Sequence, residues 1–188
     1  MTGELLIELG GTACLGLFAW TLIEYAIHGP LSHRWKTFVS PLHWIHHESP
    51  RNVFTSPLAA APVAGLLFAI GVAMVGPLHA GVFVTAAVAG FIRYERVHWR
   101  IHFRLPRNEN ERTRRSHHLA HHFANPRAYW GVTTRVWDRV FGTLPASWKD
   151  DYAKFENTAP LSGRSNLRAV WNPRMVLAEV RASRTRRV

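Results

Sequence analysis

Charged residues divide this chain into apolar and polar blocks. No Lys or Arg precedes Arg34, and between Arg51 and Arg93 there is no Asp, Glu, Lys or Arg. The uncharged stretch from Asn52 to Ile92 is 41 residues long. As helix rising about 1.5 Å per residue it reaches roughly 60 Å, enough for two crossings of a hydrocarbon core of about 30 Å. The apolar run breaks at Gly76, Pro77 and His79, which predicts a hairpin turning there. Leu5 to Ile27 is a third apolar run, with Glu8 near its start and Glu24 near its end. No basic residues precede it and no small-residue cleavage site follows, so it is expected to stay in the mature protein.

The pattern predicts an all-α integral membrane fold. Three transmembrane helices are expected, or four if a re-entrant segment adds one, capped by a cytoplasmic helical domain. Basic residues favour the cytoplasmic side. That rule places the N-terminus outside, and the segment from His28 to Asn52 and everything after about Arg93 inside.

Composition sharpens this. The 188 residues contain no long Ser, Gly or Gln tract, so the chain is read as one domain, 1–188, with its chemistry between 24 and 143 and a basic cytoplasmic tail over 146–188. A formal charge of +11 would suit nucleic acid, anionic lipid or an acidic partner. The charge-free blocks disfavour nucleic acid. Arg164, Arg168, Arg174, Arg181, Arg184, Arg186 and Arg187 are instead expected to meet anionic headgroups. The single cysteine, Cys14, lies in the first apolar run and says nothing of function.

The candidate chemistry is in the twelve histidines. On a helix of about 3.6 residues per turn, positions i, i+3 and i+4 share a face. His43, His46 and His47 have that spacing, as do His118, His121 and His122, and His98 and His102 form a further pair. His28 and His33 would diverge by about 140° on a straight helix. Gly29 and Pro30 are expected to end or kink the helix there, letting His33 turn back. His117 and His121 form an alternative pair to His118 and His122, which leaves His117 either a ligand or a supporting group. His79, in the far turn, is read as a non-ligand. For a lone histidine a solvated surface role is the commoner explanation. Four groups at ligand spacing on one membrane face point to metal. Ten imidazoles exceed the four ligands of a structural zinc and suit two ions with about five nitrogens each.

The ordered motifs EYAIHGPLSH at Glu24, HWIHHESP at His43, YERVHWRIHFRLP at Tyr94 and HLAHHFANPRAYWGVTTRVWDRVFGT at His118 resemble the fatty-acid hydroxylase and sterol desaturase superfamily of membrane di-metal oxygenases. The last stretch most resembles the fatty-acid 2-hydroxylase branch. The resemblance implies hydroxylation of a lipid acyl chain with O2 and electrons from a separate electron-transfer protein. It implies two metal ions, iron with zinc as a competitor in purified protein. The implied ligands are His28, His33, His43, His46, His47, His98, His102, His118, His121 and His122. Gly29 departs from the arginine that often follows the first histidine in this family. Glu24, Glu48, Glu95 and Asp138 are candidate carboxylates behind the ligands, since ligating imidazoles pass their second N–H to an acceptor. Trp44, Trp99, Trp130 and Trp137 are read as interfacial anchors ahead of a tunnel lining. A sterol or carotenoid substrate is the alternative within the family. A metal transporter or sensor is the alternative outside it, disfavoured because the hairpin offers no ionisable pathway except His79. A chain this compact fits a bacterial inner membrane.

Overall fold

The computed structural model describes residues 3–35 and 37–166. The arginines from Arg168 onward, expected at headgroups, lie outside the described residues. Those described are helical, with no strand: α1 (Gly3–Ala26) continuing into a π-helical segment (Ile27–Arg34), α2 (Val39–Glu48), α3 (Pro57–Phe103), α4 (Glu109–Phe123), α5 (Val136–Val140) and α6 (Trp148–Phe155).

α3 is a hairpin. Gly76 takes φ 78° and ψ 167°, a conformation open to glycine because it has no Cβ, and Pro77 starts the second arm. Nine residues of unbroken helix would separate Gly71 from Ala80 by about 13 Å. A Cβ built on Gly71 instead falls 3.0 Å from the Ala80 Cβ, so the chain has reversed. The second arm does not end with the apolar run at Ile92. It continues through Arg93, Glu95 and Arg96 to Phe103, and so carries His98 and His102 on the helix that lines the hairpin.

α1 lies against α3 at two glycines. A Cβ on Gly16 would stand 2.4 Å from the Phe83 carbonyl oxygen, and one on Gly90 would stand 2.7 Å from Trp20. Such small-residue contacts let apolar helices approach closely where burial from water gives no drive. The outward surface is apolar: Ile7, Phe18, Leu66 and Met74 are exposed, and none of the most apolar window of Ala60–Phe103 is buried within the chain. An apolar surface of this extent is foreign to soluble monomers. Gly3–Arg34 and Ala60–Phe103 are long and apolar enough to cross a bilayer, and the chain is a membrane protein.

At Gly29 and Pro30 the helix does not end. It widens into π-helical turns, closed by the Trp35 amide on the Pro30 carbonyl at 2.8 Å. A π register bonds i to i+5, so residues five apart stand about one turn apart. It also spares Pro30 the carbonyl clash it would meet in an α-helix. His28 and His33 therefore face one side, with ring centroids 6.2 Å apart. His33 thus turns back toward His28 on a helix that continues rather than one that ends.

Residues 146–166, read from sequence as the start of a tail, include α6. Tyr152 packs with Ala120, Ala128 and Tyr129 beneath α4. The following strand-free segment returns over α3, where the Leu161 amide bonds the His102 carbonyl at 2.8 Å, and reaches Arg51 at Asn166.

Candidate metal centre

The second arm of α3, α2, α4 and the π segment converge at one end of the helices and bring their histidines into two groups. His46, His98, His102, His118 and His122 form the first, and His33, His43, His47 and His121 the second; within each, one ring nitrogen per residue lies within 4.8 Å of all the others.

The first group is tight. His118 Nε2 lies 3.0 Å from His98 Nε2, 3.1 Å from His102 Nε2 and 3.1 Å from His122 Nε2, while His46 Nε2 lies 2.9 Å from His98 Nε2 and 3.0 Å from His122 Nε2. An imidazole nitrogen has one lone pair or one N–H, and neither can serve three neighbours as hydrogen bonds. Nitrogens held about 2.1 Å from a shared cation would stand about 3.0 Å apart at right angles and about 3.4 Å apart in a tetrahedron. The observed edges match the right-angled case, a shell with room for five or six ligands rather than four.

In the second group His47 Nε2 lies 3.0 Å from both His43 Nε2 and His121 Nε2. His28 adjoins it, its ring centroid 4.5 Å from those of His43 and His121. His28 Nδ1 meets the Trp130 carbonyl at 2.5 Å, and a carbonyl can only accept, so the proton is on Nδ1. His28 Nε2 is then a bare lone pair, buried and without a hydrogen-bond partner. His121 is fixed the same way, Nδ1 donating to the Ala128 carbonyl at 2.9 Å. An orphaned buried acceptor beside a cluster of imidazoles fits a cation, and the residues present fit a pair of metal ions.

Their surroundings favour the neutral form of the rings. Burial first, and neighbouring imidazoles second, push His43, His46, His118, His121 and His122 well below the usual histidine value and bring His47 to about 3.

His117 stands apart from both groups. Its Nδ1 faces the Tyr152 hydroxyl and its Nε2 the Asp138 carboxylate at 3.1 Å. Asp138, fully buried, also accepts from the amides of Trp130 (2.8 Å) and Gly131 (2.9 Å) and from the Thr143 hydroxyl (2.7 Å). His117 and Asp138 thus set the loop whose carbonyls hold His28 and His121. Glu24 accepts from the amides of Val132 (2.8 Å) and Thr133 (2.7 Å), and Glu95 from the Thr55 amide (3.2 Å); both tie loops to helices. The carbonyls of Ala128 and Trp130 carry no residue-type signature, which is why sequence reasoning missed them. Gly29, the family departure, lies under the Trp130 indole, where a Cβ would come within 2.3 Å of the ring.

A cavity of about 570 Å³ opens from His28, His43, His46 and His98 and runs between α1, α2 and both arms of α3 toward Leu67 and Val84. Trp20 lines it; Trp44, Trp99, Trp130 and Trp137 do not. Trp44 instead stacks on His47 at 5.7 Å, and Trp137 bonds Thr21 at 2.9 Å.

Residues 13–143 match the family model described as fatty acid hydroxylase. The fatty acid 2-hydroxylase of Macaca fascicularis is 31% identical over 147 residues, spanning 71% of this chain and 39% of that protein. The dihydroceramide fatty acyl 2-hydroxylase FAH2 of Arabidopsis thaliana is 29% identical, spanning 73% and 62%. The ceramide very long chain fatty acid hydroxylase scs7 of Schizosaccharomyces pombe is 32% identical, spanning 69% and 41%. A solved structure of full-length scs7p, with only its hydroxylase domain visible, superposes with a TM-score of 0.67 at 28% identity, covering 84% of this chain and 60% of that one. The chain thus spans about two fifths to three fifths of the length of these curated relatives. With the match extending over more than half of its residues, the chain belongs to the fatty acid hydroxylase family.

Proposed function

We propose that the chain is a di-iron hydroxylase that inserts oxygen into a C–H bond of a lipid acyl chain. The overall change is RH + O2 + 2 electrons + 2 protons to ROH + water, with the electrons drawn from a separate donor protein. The observation that carries the reading is His118 Nε2 within 3.1 Å of three other ring nitrogens at the mouth of an apolar cavity. Ten histidines would hold the ions: the first group as found, and the second completed by His28. Iron bound there would supply oxygen activation beyond the reach of any side chain. The chain's own contribution is placement. His28 and His121 are locked by carbonyls in the tautomer that presents Nε2. The cavity aligns an acyl chain with its reacting carbon toward His28, His43, His46 and His98, and its Val, Ala, Leu and Phe lining excludes water. The names of the relatives favour an acyl substrate over a sterol or carotenoid. An apolar cavity with few polar groups also suits a lipid better than a transported ion. In this reading three crossings leave the histidines on the cytoplasmic face of a bacterial inner membrane.

Lipid profiling of cells expressing the chain tests the function: hydroxylated acyl chains are expected, and their absence with a competent donor present would overturn it. Ala64→Phe fills the cavity where its lining is partly buried. It is expected to lower hydroxylation by at least about tenfold, the scale of a misplaced substrate, while metal content stays at the parent level. Loss of metal instead would show that the substitution disturbs the histidines.

Acid should release the metal. His47 has a folded value of about 3 and an unfolded value near 6.5, so the unfolded chain binds more protons between them. Stability is fully present above about 6.5 and declines as pH falls toward 3, and protons compete for the same lone pairs. Metal content after gel filtration is expected to hold at pH 7.5 and fall at pH 5; equal content at both would contradict neutral-imidazole ligation.

A further inference from the structure

On the side of α3 away from the histidines lies a second cavity, of about 480 Å³. Arg93, Arg96 and Arg100 recur along one wall, with Arg104 just past the helix end. At about 100° per residue the first three fall within roughly 60° of one another, opposite His98 and His102. Arg107, Arg114 and Arg115 close the other side from the connecting loop and α4. Seven guanidiniums that stay protonated at any physiological pH thus line one space.

One carboxylate within the lining answers them. Glu111 pairs with Arg100 at 2.9 Å and with Arg107 at 2.7 Å, and it is the only acid lining the cavity among the described residues. Arg115 is buried, its Nε spent on the Ile101 carbonyl at 3.0 Å. Burial, and after it the Arg93 charge, push Arg114 below the ordinary arginine value.

The same cavity has an apolar border. Ala89, Ile92 and Leu105 line it, with Ile92 and Leu105 exposed, and Ala89 and Ile92 belong to the length of α3 that is apolar enough to cross a bilayer. The space therefore spans the step from apolar helix to arginine-rich end. A free phosphate or an acidic protein surface would satisfy only the charged half.

We propose that this groove binds one anionic phospholipid, its phosphate held by arginines of α3 and α4 and an acyl chain lying along Ala89 and Ile92. Guanidinium planes match phosphate oxygens two at a time, and an arginine near an anionic headgroup contributes on the order of a factor of five in affinity.

Native mass spectrometry of the full chain in dodecyl maltoside, titrated with dioleoyl phosphatidylglycerol or dioleoyl phosphatidylcholine, tests this directly. One phosphatidylglycerol per chain should be retained at activation that strips phosphatidylcholine. The double variant Arg93→Gln, Arg96→Gln should weaken that binding by about thirtyfold. Arg127→Gln with Arg139→Gln removes the same charge outside the groove and should leave it within about twofold. Equal retention of the two lipids by the parent chain, a comparison that needs no variant, would overturn the proposal. So would equal losses in both double variants, or displacement of the lipid by equimolar inorganic phosphate.

Discussion

His118→Ala is expected to lower lipid hydroxylation by more than about a hundredfold and to empty the first histidine group. Substitutions that only loosen a ligand's support cost 10–100-fold in metal affinity or activity, and His118 is itself the nitrogen that three others approach within 3.1 Å. The side chain is fully buried, so the same substitution also leaves a void. Leu119→Ala separates the two effects. It truncates the adjacent buried residue of α4, at a stability cost of about 2–5 kcal/mol, and removes no ring nitrogen. Metal analysis should find the first site lost in His118→Ala and both retained in Leu119→Ala. Loss in both variants would reduce His118 to a packing residue.

Asp138→Asn is expected to destabilise the fold by about 2–4 kcal/mol and to weaken metal binding at the second group while sparing the first. The carboxylate accepts four hydrogen bonds, two of them from backbone amides that cannot reverse. A carboxamide accepts on one side only, so its NH2 must face the Trp130 or the Gly131 amide. Hydrogen bonds to a charged acceptor contribute about 1.5–3 kcal/mol each. The loop this loosens carries the Trp130 and Ala128 carbonyls, which orient His28 and His121. Nothing in the first group depends on those two carbonyls. The thermal midpoint and metal content of the variant check both parts: a fall from two ions per chain toward one supports the assignment, and equal loss at both sites contradicts the division of labour.

What the sequence showed clearly was what repeats at short range. The i, i+3, i+4 spacing of His43, His46 and His47 and of His118, His121 and His122 needs no tertiary information to put three rings on one face, and the structure brings them together. The Gly76 turn was legible because Gly–Pro interrupts an otherwise unbroken apolar run. His117 illustrates where spacing alone stopped. One residue before His118, it is turned about 100° around α4, toward Tyr152 and Asp138 rather than toward the cluster. Its partners come from segments later in the chain, which no local pattern announces.

Two of the carboxylates taught the opposite lesson. Glu24 and Glu95 precede His28 and His98 by about one turn, which places them on the same faces and made them plausible partners for the imidazoles. A turn away from the cluster, they meet the loop amides of Val132, Thr133 and Thr55 instead. The π-helical segment was also hidden, because Gly–Pro ordinarily signals an end. Here the helix runs on in a wider register, with Gly29 packed beneath Trp130.

The proposed chemistry requires that the histidines form two metal sites. Metal content per chain after anaerobic reconstitution of the detergent-purified full chain with ferrous iron tests it most directly. The arrangement predicts two irons per chain. Fewer than half an iron per chain, unchanged by His118→Ala, would contradict it.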